Sequence, residues 1–442
     1  STTGSSVLVL LNQSGEEKQF SGFFGDLEAR GFHLHYETPS ADASQLELVR
    51  FGKRRFDHLV FFADQTKKFP EQLSAKALIK YVDHGGNILL TTGPQISETV
   101  RNFAMQFGVF YEERDTFVID HFQYDHALDE RGRHTTLALT QPLGTPGASL
   151  PPSLARWFDF APSTPVLYRG IGHVTSANPM TSAVLTASDT AYSAETQDAQ
   201  VVDDEPVAAG HEIALVSVFE GRNNARVAFT GSRDFFSDRR RMLAWIIVRH
   251  ALMPAMPASS FQSSGNKALA TQLAQWTLQE IGVLRVTKVL HHTADADPAQ
   301  ETSATAYRIK DHVLYRIDIA EYDGEHWRPF KADDVQLEAI MLDPYIRTNL
   351  TAGPPRSSTT AKQTATTFAT EFQLPDVFGV YTFLVRYQRP GYTWIEQRDV
   401  VPVRPYQHDE YPRFLTIAYP YYTGAASVML GFLLFCAVWL YT

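Results

Sequence analysis

Apolar residues along the first hundred positions come in two rhythms. SSVLVLLN (Ser5–Asn12), FHLHYET (Phe32–Thr38), FDHLVFFA (Phe56–Ala63) and NILLTT (Asn87–Thr92) are short apolar runs that read as strands. Between them Phe20, Phe23, Phe24 and Leu27 recur at helical spacing and stop before Gly31, and Leu73, Ala77, Leu78, Tyr81 and Val82 line a second helix stopped by Gly85-Gly86. Strand and helix in alternation predict a parallel sheet with helices on both faces. From Thr116 the texture turns mostly to strands: TFVID, TTLALT, PVLYRGIGHVT, SAVLTA, EIALVSVFE and RVAFTGS. A proline-rich loop from Pro142 to Pro165 and an acidic loop at Asp203-Asp204-Glu205 interrupt them. Helices are expected over Ser237–Leu252 and Asn266–Ile281, with the linker-like PAMPASSFQSSG between.

After Gly282 the pattern has period two. VLRVTKVLHH, HVLYRIDIAEYDGEHWRPF with its Asp323-Gly324 turn, VQLEAIML, TFATEFQLP, GVYTFLVRYQ and YTWIEQRDVVPV give about seven strands, a spacing that suits a β-sandwich. From Phe414 to Thr442 there is no Asp, Glu, Lys, Arg or His. Gly424–Thr442 is 19 residues, which as a helix spans about 28 Å against a hydrocarbon core of about 30 Å. Tyr419, Tyr421 and Tyr422 precede it and Trp439 and Tyr441 close it, as interfacial aromatics do. A buried helix of a soluble core would carry a polar face, and this run has none. The expected organisation is therefore an α/β domain with a β-rich second half (1–265), a connecting helix (266–282), a β-sandwich (283–405), a juxtamembrane segment (406–423) and one transmembrane helix (424–442). For the first domain the expected class is a parallel, amidotransferase-like sheet. A removed targeting peptide is one reason for a start at Ser1, a shortened chain another, and a short polar tail is expected after Thr442.

Composition narrows the chemistry. With 49 acidic against 39 basic residues the net charge is −10, which argues against nucleic acid as a partner. The single cysteine, Cys436, rules out a disulfide within the chain, a four-cysteine zinc site and any thiol nucleophile before it. The first turn, NQSGEEK, has one glycine where a dinucleotide site needs three, and there is no P-loop. LLTTGPQ (Leu89–Gln95) stands where a nucleophile elbow would be, with Thr91 and Thr92 but neither Cys nor G-x-S-x-G, so an ordinary strand end is the simpler reading.

Four polar groupings deserve separate weighing. Asp120, His121, Asp125 and His126, with His134 beyond, have the residue types for a divalent metal or for sugar hydroxyls, but also for a loop held by its own side chains. Asp295-Ala-Asp297 has the D-x-D form of metal-dependent glycosyltransferases, set in a polar turn, and His291-His292 reads as structural. Arg222–Arg226 ahead of VAFTGSRDFFSD offers an interface, a glycan contact or a packed turn. Asn12-Gln-Ser and Asn349-Leu-Thr are glycosylation sequons, Asn349 in a loop-like stretch and Asn12 at a strand end. In the apolar helix, Gly424, Ser427 and Gly431 form a small-residue stripe on which a second membrane helix can pack. In an open parallel sheet, ligands bind at the carboxyl ends of the strands. That edge should gather Asn12–Glu16, the loop after Ala63, Thr92–Gln95 and Asp120–Asp125, groups that suit neutral sugar better than a diphosphate.

VIDHFQYD, RNNARVAFTGSRDFFSD, GVLRV followed by HH, LPDVFGVYTFLVRYQRPGYT, and VRPYQHDEYPRFLTIAYPYY ahead of one apolar helix together resemble the family of the non-catalytic 48 kDa subunit of eukaryotic oligosaccharyltransferase, which includes the yeast wheat-germ-agglutinin-binding protein. The resemblance runs along nearly the whole chain and is weakest at Gln141–Pro165 and Ala194–Gly210. It implies a single-pass type I protein of the endoplasmic reticulum membrane with its bulk in the lumen. It also implies partners: the catalytic subunit, ribophorin I, ribophorin II and the defender-against-death subunit. The complex moves a preassembled oligosaccharide from dolichyl diphosphate to Asn of N-x-S/T sequons, with the active site and its metal on the catalytic subunit and no cofactor in this chain. The competing expectation is a membrane-anchored lumenal hydrolase or sugar-processing enzyme using Asp120, His121 and Asp125.

Overall fold

The computed structural model describes residues 1–40, 46–126, 128, 132–139, 150–158, 164–195, 208–238, 264–296, 302–353, 364–411 and 416–441. The expected helix at Ser237–Leu252 and Asp297 of the D-x-D motif fall, wholly or nearly so, outside these residues. The N-terminal part is built on one nine-stranded sheet. Its strands are β1 (Ser6–Leu11), β2 (His33–Glu37), β3 (His58–Phe62), β4 (Asn87–Thr91), β5 (Val109–Tyr111), β6 (His173–Thr175), β7 (Thr181–Thr186), β8 (Ala214–Glu220) and β9 (Arg226–Thr230). They lie in the order β2-β1-β3-β4-β9-β8-β6-β5, with β7 also paired to β8. From β2 to β9 neighbours are parallel; from β9 outward they are antiparallel.

Within the β-rich stretch, Thr116–Ile119 pairs with Tyr192–Glu195 and Leu137–Leu139 with Val166–Tyr168 in two separate two-stranded ribbons, while its other strands continue the first sheet. The reason lies in RVAFT: every residue of β9 is buried, so the strand needs cover on both faces and enters beside β4 in the sheet's middle. A tight turn delivers it from β8, closed by the Gly221 amide on the Ala225 carbonyl and by Asn224 in the left-handed region.

Alternation along each strand divides the core in two. Val7, Val9, Leu11, Val60, Phe62 and Ala228 pack beneath helices α1 (Ser21–Ala29) and, further along the chain, Asn266–Thr277. Leu8, Leu10, Phe61, Leu90, Val227 and Phe229 face α2 (Ala75–Asp83) and α3 (Glu98–Met105) on the other side. Each of the Val, Leu and Phe side chains contributes about 1.5–3 kcal/mol on burial, so both periods read in the sequence are consequences of a two-faced core. Ser74 and Ser97 cap α2 and α3, accepting from Ala77 and Val100 amides at 3.3 Å. The Asn266–Thr277 helix is labelled α4.

The second unit is a sandwich of two five-stranded sheets. Its strands are β10 (Val283–Thr293), β11 (Tyr307–Arg308), β12 (His312–Tyr322), β13 (Trp327–Pro329), β14 (Gln336–Met341), β15 (Asp343–Asn349), β16 (Thr351–Ala352), β17 (Thr366–Gln373), β18 (Gly379–Tyr387) and β19 (Ile395–Arg404). One sheet runs β10-β12-β17-β16 with β13 on β12, the other β11-β19-β18-β14-β15. Tyr315, Ile317 and Ile319 of one meet Tyr381, Phe383 and Val385 of the other. The sequence pattern misses β11, β15 and β16. The last two are exposed or short edge pieces, and Pro344 in β15 is a residue that edges tolerate.

Chain exit and membrane helix follow. Thr416–Tyr441 is 26 residues long and apolar enough to cross a membrane. Its α-helical part, α5, begins at Tyr419, so Tyr419, Tyr421 and Tyr422 lie inside the helix and not ahead of it. Pro420 sits in the first turn, where its missing N–H has no partner to lose.

The two units meet at the amino ends of the parallel strands. Arg226, the first residue of β9, has no solvent exposure. It donates to Glu220 Oε1 at 3.2 Å, to the Trp276 and Ile281 carbonyls at 2.9 and 2.8 Å, and to the Gly282 and Gly391 carbonyls at 2.8 and 3.4 Å. Glu220 Oε2 accepts the Gly391 amide at 2.8 Å, while Asn224 bonds both the N–H and the carbonyl of Trp394. Gly282 and Gly391, both at positive φ, come so close that a Cβ on Gly282 would collide with the Gly391 carbonyl. The Arg222–Arg226 segment is therefore a packed joint between the sheet and the sandwich.

Candidate functional site

The carboxyl ends of β1, β3, β4 and β9 form the edge where ligands of open α/β sheets bind. Strand register places Asn12, Asp64, Thr92-Gly93 and Arg233 there, one after each strand. The Asn12 amide group donates to Asp64 Oδ1 at 2.8 Å, its Oδ1 accepts the Gln65 N–H at 2.9 Å, and its backbone N–H donates to Glu16 Oε2 at 3.1 Å. Arg233 pairs with Glu16 Oε1 at 2.8 Å and Asp64 Oδ1 at 3.2 Å, and its guanidinium lies 5.7 Å from the centre of the Phe20 ring. Burial pushes the Asp64 carboxyl up, opposed by Arg233 and the Asn12 hydrogen bond. A Cβ at Gly93 would stand 2.8 Å from Asp64 Oδ2, so even methyl-sized cover would crowd the carboxylate.

Sequence reasoning missed Arg233. The edge residues expected from the sequence are joined by this one arginine, which two carboxylates neutralise. Its signal was the SRD that follows RVAFTG, legible only once β9 is known to lie parallel beside β4. The anion site at the helix N-terminus is filled as well. Asp238 accepts Ser21 Oγ at 2.8 Å and the Gly22 amide at 2.9 Å, occupying the start of α1 with the protein's own carboxylate.

Thr91 and Thr92 are buried; Thr91 Oγ1 donates to the Phe61 carbonyl at 3.0 Å and the Thr92 amide to Thr230 O at 2.9 Å. These are strand-end roles. Asp120, fully buried, accepts the Phe122 and Gln123 amides at 2.8 and 3.0 Å, Thr190 Oγ1 at 2.9 Å and Ser188 Oγ. Burial raises its pKa, but those donors outweigh it and hold the carboxyl below the usual range. Asp125 is also buried and accepts the Leu128 amide at 3.3 Å. His121 instead faces solvent, its Nε2 2.8 Å from Tyr192 Oη and its Nδ1 against His134 Nδ1. Tyr124 lies tilted against His126 and His134, with ring centres 4.2 and 4.1 Å away. The structure thus splits the group: two carboxylates inside a hydrogen-bonded loop, and imidazoles and phenols outside. Among the described residues no three His, Cys, Asp or Glu are placed to hold a metal ion.

His291 is 6% exposed and bonds Tyr307 Oη at 2.8 Å, a packing role. Asn349 is exposed at the end of β15, where its Oδ1 accepts Gln336 Nε2 at 3.0 Å. Asn12, by contrast, is engaged as described. In α5, Ser427 Oγ donates to the Gly424 carbonyl at 2.8 Å, and Gly431 has open space above it.

The structure thus combines an α/β unit whose carboxyl sheet edge is filled by its own side chains, a sandwich locked to the opposite end, and one helix long and apolar enough to cross a membrane. The chain belongs to the OST48 family: the OST48 N-terminal domain matches residues 1–280 and the OST48 middle domain residues 291–442. It is 36% identical to the dolichyl-diphosphooligosaccharide–protein glycosyltransferase 48 kDa subunit of Arabidopsis thaliana, over 98% of this chain and 92% of that one. The subunits of the same name from Drosophila melanogaster (36%, 99% and 92%) and Danio rerio (35%, 98% and 91%) match equally well. A putative ThuA-like protein from Parabacteroides merdae overlaps 62% of this chain and 89% of its own at 12% identity, with a TM-score of 0.28. That score assigns no fold, and the amidotransferase-like reading draws nothing from it.

Proposed function

We propose that this chain is a non-catalytic, assembly-stabilising subunit of an oligosaccharyltransferase, the complex that moves a preassembled oligosaccharide from dolichyl diphosphate to Asn of N-x-S/T sequons. The observation that carries the proposal is the family match along essentially the whole chain to subunits named for that activity. In this reading α5 crosses the endoplasmic reticulum membrane once, with both units in the lumen. The Gly424, Ser427 and Gly431 stripe packs a neighbouring membrane helix, and the partners are the catalytic subunit, ribophorins I and II and the defender-against-death subunit. The N-terminal sheet serves as an amidotransferase-like scaffold whose ligand edge is closed by Arg233, Asp64, Glu16 and Asp238. Any glycan contact falls to the exposed His121 face, and Asn349 is the better placed acceptor of the chain's own glycosylation.

The sugar-processing alternative is not favoured, because Asp120 already carries four hydrogen bonds that an acid–base role would have to break. Two measurements test the proposal together. Purification in mild detergent should bring down the catalytic subunit with the full chain, and the chain alone should be inert toward lipid-linked oligosaccharide plus sequon peptide. Turnover by the isolated chain would overturn the proposal.

A further inference from the structure

The outer face of the β11-β19-β18-β14-β15 sheet changes character along its length. At the far end it carries Arg386, Glu396 and Arg398, paired among themselves. At the end where β18 begins and β19 finishes, register sets Val380 opposite Pro402 and Thr382 opposite Val400. Val380 is 59% and Val400 66% exposed. Beyond them project Phe378, 65% exposed, and Leu342, 98% exposed at the tip of the β14–β15 turn. Leu342 is held at positive φ, and Met341 beside it touches Gly379, so the turn and the start of β18 form one tip. Such a cluster of protruding large apolar side chains on one tip asks for an apolar occupant.

The same end releases the chain toward α5. Arg404 grips Glu410 through both oxygens at 2.6 and 2.7 Å, the Gln407 amide donates to Glu410 Oε2 at 2.8 Å, and Arg308 adds a contact at 3.4 Å. That clasp folds 404–410 back onto the sandwich. From Tyr411 to the start of the apolar helix at Thr416 the chain can reach at most about 18 Å. Exposed Tyr411 and the Lys310–Asp376 pair surround the exit, a belt of aromatic and charged groups of the kind that sits among lipid headgroups. Length limits therefore hold the apolar tip close to the membrane surface.

We propose that Leu342, Phe378, Val380 and Val400 form a membrane-dipping tip that inserts into the lipid interface and fixes the tilt of the sandwich over the bilayer. The occupant is lipid, because the side chains project singly from a turn and a strand start near the anchoring helix rather than lining a groove. The inference rests on α5 spanning the bilayer, and the test separates the two.

The full chain is reconstituted in phosphatidylcholine nanodiscs containing spin-labelled phosphatidylcholine and carries one environment-sensitive fluorophore. The natural Cys436 reports insertion of α5; Leu342→Cys, Phe378→Cys and, as a distant exposed control, Phe51→Cys are each made with Cys436→Ser. Labels at 436, 342 and 378 should lose most of their emission to the lipid quencher, whereas the label at 51 keeps it and yields to aqueous iodide. Adding Leu342→Glu to the Phe378→Cys chain should restore most of the lost emission. Quenching at 436 but not at 342 or 378 would overturn the tip while leaving the anchor standing. Absence of quenching at 436 as well would overturn both. Tip labels shielded from iodide only after partner subunits are added would make this a subunit interface and likewise overturn the proposal.

Discussion

The two ends of the N-terminal sheet each hold an arginine paired with a carboxylate, and they do opposite things with it. At the amino end Arg226 is wholly buried, and most of its bonds go to backbone carbonyls of α4, the Ile281–Gly282 turn and the sandwich loop at Gly391. At the carboxyl end Arg233 keeps 14% of its side chain exposed, and its ion pairs are with the side-chain carboxylates of Glu16 and Asp64. Carbonyl acceptors on three separate segments make the first arginine a fastener between units. Carboxylate acceptors on the ligand edge make the second a plug. A doubly wound sheet ordinarily keeps its carboxyl edge open for a ligand. Here the open functions of that edge, the cation and the helix N-terminus, are both satisfied internally by Glu16, Asp64 and Asp238.

The largest break in this comparison comes from Arg226→Met. It leaves Glu220 buried without its cation and strips the Trp276, Ile281 and Gly282 carbonyls of their donor. Removing one partner of such a buried pair costs about 3–5 kcal/mol. Denaturant unfolding of the full chain in detergent should show that loss, and Arg226→Lys should recover little of it because one ammonium cannot reach acceptors on so many segments. A change below about 1 kcal/mol would mean the joint is held by packing alone.

Next in size is a pH response that comes chiefly from buried histidines of the sheet. His58, buried at the start of β3, accepts from Asn87 Nδ2 at 3.2 Å and faces the Gly4 carbonyl at 3.2 Å, which assigns a neutral ring protonated on Nε2. Burial, chiefly, lowers its pKa to about 3. Between about 6.5 and 3 the unfolded chain binds a proton that the folded ring refuses, so this group's stability is complete above about 6.5 and declines as pH falls. His173, hydrogen-bonded to Ser217 inside the same sheet and also lowered to about 3 by burial, adds the same slope. Asp64 at the carboxyl end has the opposite sign, since its raised pKa favours the folded state most in acid and loses that contribution as pH rises. Stability measured from pH 4 to 6 should fall with acid, and His58→Gln should flatten the slope by about 1.4 kcal/mol per pH unit. An unchanged slope would place the ring in contact with solvent.

How much of this was readable beforehand depends on how local each signal is. The first four strands, the helices that stop at glycines, the sandwich and the apolar helix follow from period and breaker residues, all decided within a dozen positions. That RVAFT belongs in the centre of the first sheet could not be read, because parallel pairing between β4 and β9 links segments far apart, and nothing local to either names its partner. Arg233 was missed for the same reason. Asp120 and Asp125 were chosen by residue type, and type says nothing about burial: the donors from Ser188 and Thr190 that close over Asp120 arrive from a distant loop. The Arg222–Arg226 turn was foreseeable as a packed segment, but its partner across the joint was not.

The smallest expected effect is at the plug. Arg233→Ala leaves Asp64 and Glu16 facing each other without a cation, yet the edge is near enough to water for Asp64, its pKa already pushed up by burial, to relieve the repulsion by taking a proton. The loss should be about 1–3 kcal/mol, smaller than at Arg226. Asp64→Asn in the same chain should recover much of it, because a neutral amide needs no counter-charge and Asn12 can still bond it. A double-mutant cycle separates the pair from its surroundings. If Arg233→Ala costs as much as Arg226→Met, or if Asp64→Asn recovers nothing, then Arg233 is a fastener too and the two ends of the sheet do not differ in kind.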